Sequence, residues 1–324
     1  MTSAAYENNA APESDLRRSG MRLGDLVFKG VAIAAALAST VLLIWIAWKI
    51  FDLAWPAIQD FGLSFVWTEA WDPVTNTYGA LIFIYGTVVT SLIALVLATP
   101  LSIAIALFLT EIAPKRLAAP IATMVELLAA IPSVVLGLWG IVVFGPWVRD
   151  HLEPWIQDTP LGWLPVFSGE PSASGIFTAA LVLTIMIIPI TSAICRELFI
   201  RVPKDLTDGA LALGSTRWEA IRGVMFAYAA PGIVAAVLLG LGRAFGEAIA
   251  VNQTIGNHNA IPSSWFDPGD SLGSKIASEY VGATSLEQAS SILYLAAILM
   301  GISLATNVVA QFIVVRYERA RRAV

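Results

Sequence analysis

The sequence predicts an all-α integral membrane protein with six transmembrane helices and both termini in the cytoplasm. Three observations predict it. Apolar residues make up 57% of the 324-residue chain and charged residues only 13%, about half the charge of an ordinary soluble protein, and mean hydropathy is +0.75. The apolar residues gather into six runs, each long enough for the roughly 30 Å hydrocarbon layer, which takes about 20 helical residues. Lysine and arginine fall overwhelmingly on one side of those runs.

Residues 1–25 are polar, with almost no large apolar side chains, and read as a disordered cytoplasmic tail. Val27–Phe51 is the first span, too long for a signal-peptide core and therefore uncleaved. With its outer loop it fills residues 26–79. Runs at 80–111, 118–147, 174–199, 224–251 and 289–315 supply five more spans. They make a five-helix core over 80–316, followed by a cytoplasmic tail at 317–324. Fifteen of the nineteen basic residues lie in the N-terminal tail, the 113–117 loop, the 196–222 region and the C-terminal tail, with Lys29 and Arg316 counted at the adjoining span ends. The positive-inside rule makes that face cytoplasmic. Only Lys49, Arg149 and Lys275 fall on the other face, and Arg243 falls inside a span. The outer segments 52–79, 148–173 and 252–288 are acidic and rich in Trp, Pro and Gly. They are expected to lie against the membrane surface, because ten of the eleven tryptophans fall in them or near the outer helix ends. Only Trp218 is cytoplasmic.

Several function classes fall away. Cys195 is the single cysteine, so no intrachain disulfide can form, and it reads as a small apolar residue. His151 and His258 have no companions at zinc spacing, so no metal site is expected. No Gly-x-x-x-x-Gly-Lys-Ser/Thr occurs; the stretch Gly269 to Lys275 is a superficial likeness on the outer side. Gly269-Asp270-Ser271-Leu272-Gly273 fits a nucleophile elbow but lacks the strand-turn-helix setting, with only His258 nearby as a base, and reads as a flexible loop. No connecting segment is long enough for a soluble catalytic domain. The chain is thus expected to be non-catalytic, with no nucleic-acid partner.

The cytoplasmic stretch from Arg201 to Val234 is amphipathic and interrupted at Gly214. Asp205 is a candidate N-cap, Gly214 suits a left-handed C-terminal position, and Thr216-Arg217-Trp218-Glu219 reads as a capping box. Two short helices joined by a glycine turn are expected between spans four and five. Asp208-Gly209-Ala210, three residues, then Gly214 resembles the cytoplasmic "EAA" loop of ABC importer permeases, with Asp for Glu, Gly for the first Ala, and Val224-Met225-Phe226-Ala227 in place of Ile-x-Leu-Pro. "ELLAAIPSVVLGLWG" (126–140) and "GRAFGEAIAV" (242–251) resemble the phosphate-importer permeases of the PstC family, and the resemblance covers residues 25–316.

That resemblance implies a type I ABC importer permease fold in the bacterial inner membrane. It implies a similar permease partner (PstA-like), two copies of a cytoplasmic ATPase (PstB-like) that hold ATP and Mg, and an external phosphate-binding protein (PstS-like). This chain itself would bind no cofactor. The 201–223 loop, with Asp208, Gly209, Ala210, Gly214, Thr216, Arg217, Trp218 and Glu219, would couple to the ATPase. Span one would be peripheral.

Arg243 and Glu247 are four apart inside span five, and an intramembrane charge is costly unless it meets a cavity or a partner. Arg before Glu is the weaker i,i+4 order, and Glu247 would sit near the negative end of a helix running outward. Local helix stability therefore does not explain the pair. Two roles stay open: gluing helices together, or lining an anion path. In the second, the Arg243 guanidinium matches phosphate oxygens. Glu247 would neutralise it when the site is empty, and could also accept a hydrogen bond from the proton that phosphate keeps and sulfate lacks. Gly242 and Gly246, with Ala244 and Ala248, form small-xxx-small pairs that let helices approach. Glu126, eight residues into span three, and the helix-breaking Pro132-Ser133 are either pathway lining or a kink with a paired charge. The alternatives in function are a permease for sulfate or molybdate, or a stand-alone ion-coupled carrier.

Overall fold

Long apolar helices account for most of residues 23–322, the part of the chain that the computed structural model describes. Six helices among the described residues are long and apolar enough to cross a membrane. The polar tail read at 1–25 lies almost wholly outside the described residues. The first helix, α1, is Leu23–Phe61 and carries Pro56. It outruns the expected first span: the helix continues ten residues past Phe51, where an outer loop was expected. The chain divides into two compact units at residue 50. Within the first unit, side chains from Leu26 to Ile46 are exposed.

The second unit is built around α5, Ile176–Ile200, which is apolar and buried on most of its circumference. Around it stand α2 (Leu81–Ile112), α4 (Ser133–Gln157), α7 (Arg217–Gly246) and α10 (Leu286–Arg322). Small residues set the crossings. Ala94 and Ala98 of α2 meet Leu183 and Ile187 of α5 together with Ala244 of α7. Glycines let α7 approach α5: a Cβ on Gly232 would lie 2.5 Å from the Leu198 side chain, and one on Gly240 3.0 Å from Ile187 and from the Thr191 hydroxyl.

The run at 118–147 is not one span. Lys115–Ala129 forms a separate helix, α3, and the membrane-length helix α4 starts only at Ser133. Pro132 is the reason: it has no N–H to donate, and it disfavours helical geometry at Ile131. α3 packs one face, Ala118, Ile121, Ala122 and Val125, at the i, i+3, i+4, i+7 spacing, and leaves Leu117, Met124, Leu127 and Leu128 exposed. The shift draws Arg149, Asp150, His151 and Glu153 into α4, out of the expected outer loop.

One face of the second unit carries a two-stranded hairpin, β1 (Trp71–Asp72) paired antiparallel with β2 (Thr77–Tyr78), and the helix α9, Leu272–Glu279. The 252–288 segment does not simply lie on a surface there. Its centre turns inward: the Leu272 N–H donates to the Thr87 hydroxyl at 2.8 Å. Gly86 makes room for this, since a Cβ would lie 1.8 Å from the Asp270 carbonyl. The Gly269–Gly273 stretch is thus a buried connection and not a flexible loop. Ser271 accepts from the Ser274 N–H at 3.2 Å and caps α9, which is a structural use of its hydroxyl.

The opposite face carries α6, Lys204–Ala212. Pro203, not Asp205, holds its N-cap position, and Asp205 sits in the first turn, where the helix dipole favours it. Gly214 takes φ +90°, as expected for the turn. The capping box forms: the Glu219 N–H donates to the Thr216 hydroxyl at 3.3 Å and the Thr216 N–H to the Glu219 carboxylate at 2.7 Å. The helix it opens is not short, however. It continues without interruption as α7, because Pro231 is tolerated within a membrane-length helix.

Candidate functional site

Arg243 sits near the middle of the spans. Its neighbour Ala244 packs on Leu183 and Ile187, seven and eleven residues into the 25-residue α5. At 1.5 Å per residue these lie roughly 10 and 16 Å along a helix of about 37 Å. The guanidinium is exposed on the surface of the chain and has no hydrogen bond or ion pair among the described residues.

Glu247 is not on the same helix. α7 ends at Gly246, Glu247 is extended with φ −80° and ψ 115°, and a short helix, α8, resumes over Ile249–Thr254. The one-face i,i+4 pair is therefore corrected. Glu247 accepts from the Ala250 N–H at 3.3 Å and caps α8, and its other carboxylate oxygen has no partner among the described residues. The break also explains the charge order. Arg243 occupies the last turn of α7, and Glu247 precedes the first turn of α8, so each faces the helix end that favours it. In a continuous helix the Arg-before-Glu order and the placement of Glu247 looked wrong, and that mismatch was the sequence signal for the break.

Two broken stretches pack together. Gly137, one turn past Ser133, abuts α8 so closely that a Cβ would lie 2.8 Å from the Ala250 Cα and 2.3 Å from the Gln253 carboxamide oxygen. Pro132 is exposed, its carbonyl accepts from the Val135 and Leu136 N–H groups, and Ser133 is half-buried. Glu126 lies elsewhere. It is on α3, outside any span, and pairs with Arg196 at 3.0 Å. Arg196 is twenty residues into α5, roughly 30 Å along it. Glu126 is therefore about 15 Å nearer the α6 face than Arg243 is.

The small-xxx-small pairs behave differently from expectation. A Cβ on Gly246 would meet open space, and one on Gly242 only the Asn307 carboxamide oxygen at 3.9 Å. Close packing falls to Gly240, two residues earlier and on the other flank, and to Ala244, one of the expected small residues. Asn307 was passed over in the sequence, although a carboxamide inside the 289–315 run is the same kind of signal as Arg243.

On the α6 face, Asp208, Gly209, Gly214, Thr216, Arg217, Trp218 and Glu219 are exposed and Ala210 is half-buried. Leu206, Leu211, Leu213 and Trp218 add exposed apolar surface. A cavity of about 510 Å³ opens beneath, lined by Glu111, Thr207, Asp208, Arg217 and Trp218 among others.

Lys275 was counted only as an outer basic residue, yet it is 3% exposed. Its ammonium donates to Asn259 at 2.7 Å and Glu279 at 2.5 Å, and lies 3.8 Å from Asp270. It stands over the Trp71 and Phe83 rings at 5.3 and 5.2 Å. The Trp71 indole donates to Glu279 at 3.0 Å. Burial pushes the Asp270 carboxyl up to about 6. This cluster ties the hairpin, α2 and α9 together.

Residues 98–322 match the family described as binding-protein-dependent transport system inner membrane component. The chain is similar to the phosphate transport system permease protein PstC of Pasteurella multocida, 39% identical over 311 residues, covering 95% of this chain and 97% of the relative. The PstC of Haemophilus influenzae is 41% identical over 299 residues, covering 91% and 94%. A probable PstC of Methanocaldococcus jannaschii is 32% identical over 297 residues, covering 90% and 94%. Among solved structures, a bacterial alginate ABC transporter shares the fold with TM-score 0.53 and 18% identity, covering 93% of this chain and 98% of that one. The MetNI methionine ABC transporter, in inward-facing conformations, gives TM-score 0.51 and 17% identity, covering 71% and 93%.

Proposed function

The chain belongs to the PstC family of phosphate transport permeases, among the inner membrane components of binding-protein-dependent transport systems, and from this premise we propose that Arg243 is its phosphate-meeting cation. The protein is a multi-pass translocation subunit of an ABC phosphate importer. One observation carries the site: a guanidinium at mid-depth of the spans, exposed and without a partner among the described residues. Facing hydrocarbon, such a charge would cost several kcal/mol. Its surroundings are therefore a water-filled cavity, closed on the far side by a homologous PstA-like permease. Phosphate enters that cavity and displaces water from the fork of donors on Arg243. Glu247, with one carboxylate oxygen occupied by the α8 cap, keeps the other for the proton that phosphate retains.

The remaining steps follow from the same reading. The clustering of basic residues supports a cytoplasmic position for α6 and both termini. Two PstB-like ATPases, holding ATP and Mg, dock on the exposed face from Asp208 to Glu219. Hydrolysis drives alternating access, the α6 turn moving α7 as one lever because α6 packs on the first turns of α7 and is joined to it by the Gly214 turn and the capping box. A PstS-like binding protein delivers phosphate at the hairpin face. Pro132 and Ser133, packed beside α8, line the pathway. Glu126 belongs to its cytoplasmic section, where its ion pair with Arg196 holds α3 against α5.

Uptake of radiolabelled phosphate into liposomes by the reconstituted complex tests the proposal. Uptake requires ATP and the ATPase subunits, and Arg243→Ala brings it to background with the complex still assembled. Full uptake in that variant sinks the site. Uptake without the ATPase makes the chain a carrier, and a preference for sulfate or molybdate reassigns the substrate.

A further inference from the structure

We propose that Asn307 is a second phosphate-contacting residue, donating from its carboxamide beside Arg243. The proposal rests on the reading of Arg243 given above. Asn307 lies in the apolar α10, is exposed, and makes no hydrogen bond among the described residues. A carboxamide without a partner in hydrocarbon costs several kcal/mol, so this one too meets water, solute or another chain.

Two packing rulers put Asn307 at the depth of Arg243. Ile292 and Leu295 of α10 share a cluster with Phe83 of α2. Asn307 is twelve to fifteen residues further along α10, about 18–22 Å at helical rise. Ala94 and Ala98 are eleven and fifteen residues beyond Phe83 on α2, about 16–22 Å, and they touch Ala244. The lateral position comes from Gly242. Its missing side chain leaves the Asn307 oxygen 3.9 Å from where a Cβ would stand, against the very turn that carries Arg243. The pair Gly242 and Asn307 is thus a space-and-donor arrangement on the open surface of α7 and α10.

The chemistry fits an oxyanion. One guanidinium cannot fill the lone pairs of a phosphate. A carboxamide adds two N–H donors and an acceptor without a second charge to desolvate. An asparagine serving only as helix glue would hydrogen-bond to a neighbouring helix, and among the described residues it does not.

The test uses the whole reconstituted complex with saturating phosphate-binding protein and radiolabelled inorganic phosphate. Asn307→Ala is expected to lower the maximal uptake rate by about ten-fold or more, the usual loss for a hydrogen bond to a charged group, with subunit composition unchanged. Asn307→Asp, nearly isosteric but anionic, is expected to lower it further. Equal effects of Ala and Asp overturn the anion contact. Loss of subunits on Asn307→Ala overturns it in favour of packing. Unchanged uptake in Asn307→Ala, where Arg243→Ala abolishes it, removes Asn307 and leaves the Arg243 site standing. Unchanged uptake in both variants removes the site reading itself.

Discussion

Lys275 and Arg243 are both cations away from the basic cytoplasmic segments, and the fold treats them in opposite ways. Lys275 is buried among two carboxylates, a carboxamide and two aromatic rings. Arg243 is exposed at mid-depth with no partner among the described residues. A charge needed for structure is satisfied by the structure, because an unpaired buried ion is strongly destabilising. A charge left open at a depth where opening is costly is reserved for something that arrives later. The contrast separates a staple from a site better than hydropathy, which scores both residues alike.

Substitutions can break that comparison. The largest effect is expected at Arg243, where replacement by alanine abolishes uptake and leaves the melting temperature of the complex nearly unchanged. Lys275→Met should do the reverse. It strands Asp270 and Glu279 and costs about 3–5 kcal/mol, seen as a lowered thermal transition, while uptake per folded complex stays near normal. If Lys275→Met lost transport without losing stability, the staple reading would fail.

Asp270 offers a smaller, pH-dependent test. Its folded carboxyl titrates at about 6, above its ordinary 3.8, so the folded state holds that proton more tightly than the unfolded state. The stability it contributes is present below about pH 4 and is lost as pH rises through about 6, up to roughly 3 kcal/mol. Asp270→Asn should flatten this part of the stability profile relative to the parent. An identical pH dependence in the two proteins would remove the titration from Asp270. The finest effect is expected from Glu247→Gln. The amide oxygen can still cap α8, so folding is spared and only the anion is lost. Competition assays should then show phosphate-over-sulfate selectivity reduced several-fold, and an unchanged ratio assigns Glu247 to capping alone.

Much of the architecture was legible in the sequence. Six apolar runs became six membrane-length helices, and Gly214 with Thr216 and Glu219 formed the expected turn and capping box. These features are local: a run of apolar side chains or a hydroxyl three residues before a carboxylate acts on its own backbone. Arg243 stood out for the same reason. Other parts were misread where local signals were ambiguous. Pro132 was taken as a kink inside span three, whereas it starts the span, because hydropathy does not distinguish a helix crossing the membrane from an amphipathic one packed against α5.

The sequence by itself determined how many helices could cross the membrane, where the Gly214 turn lies, and that a guanidinium stands within a span. Only the tertiary structure decided what each charge meets. Trp71 and Glu279 are 208 residues apart and are joined by one hydrogen bond. Gly240 and Ala244, not Gly242 and Gly246, take the close contact with α5. Partnership of this kind depends on side chains brought together from distant helices, which no local window contains. It is the reason Lys275 became a fixed part of the fold and Arg243 was left open.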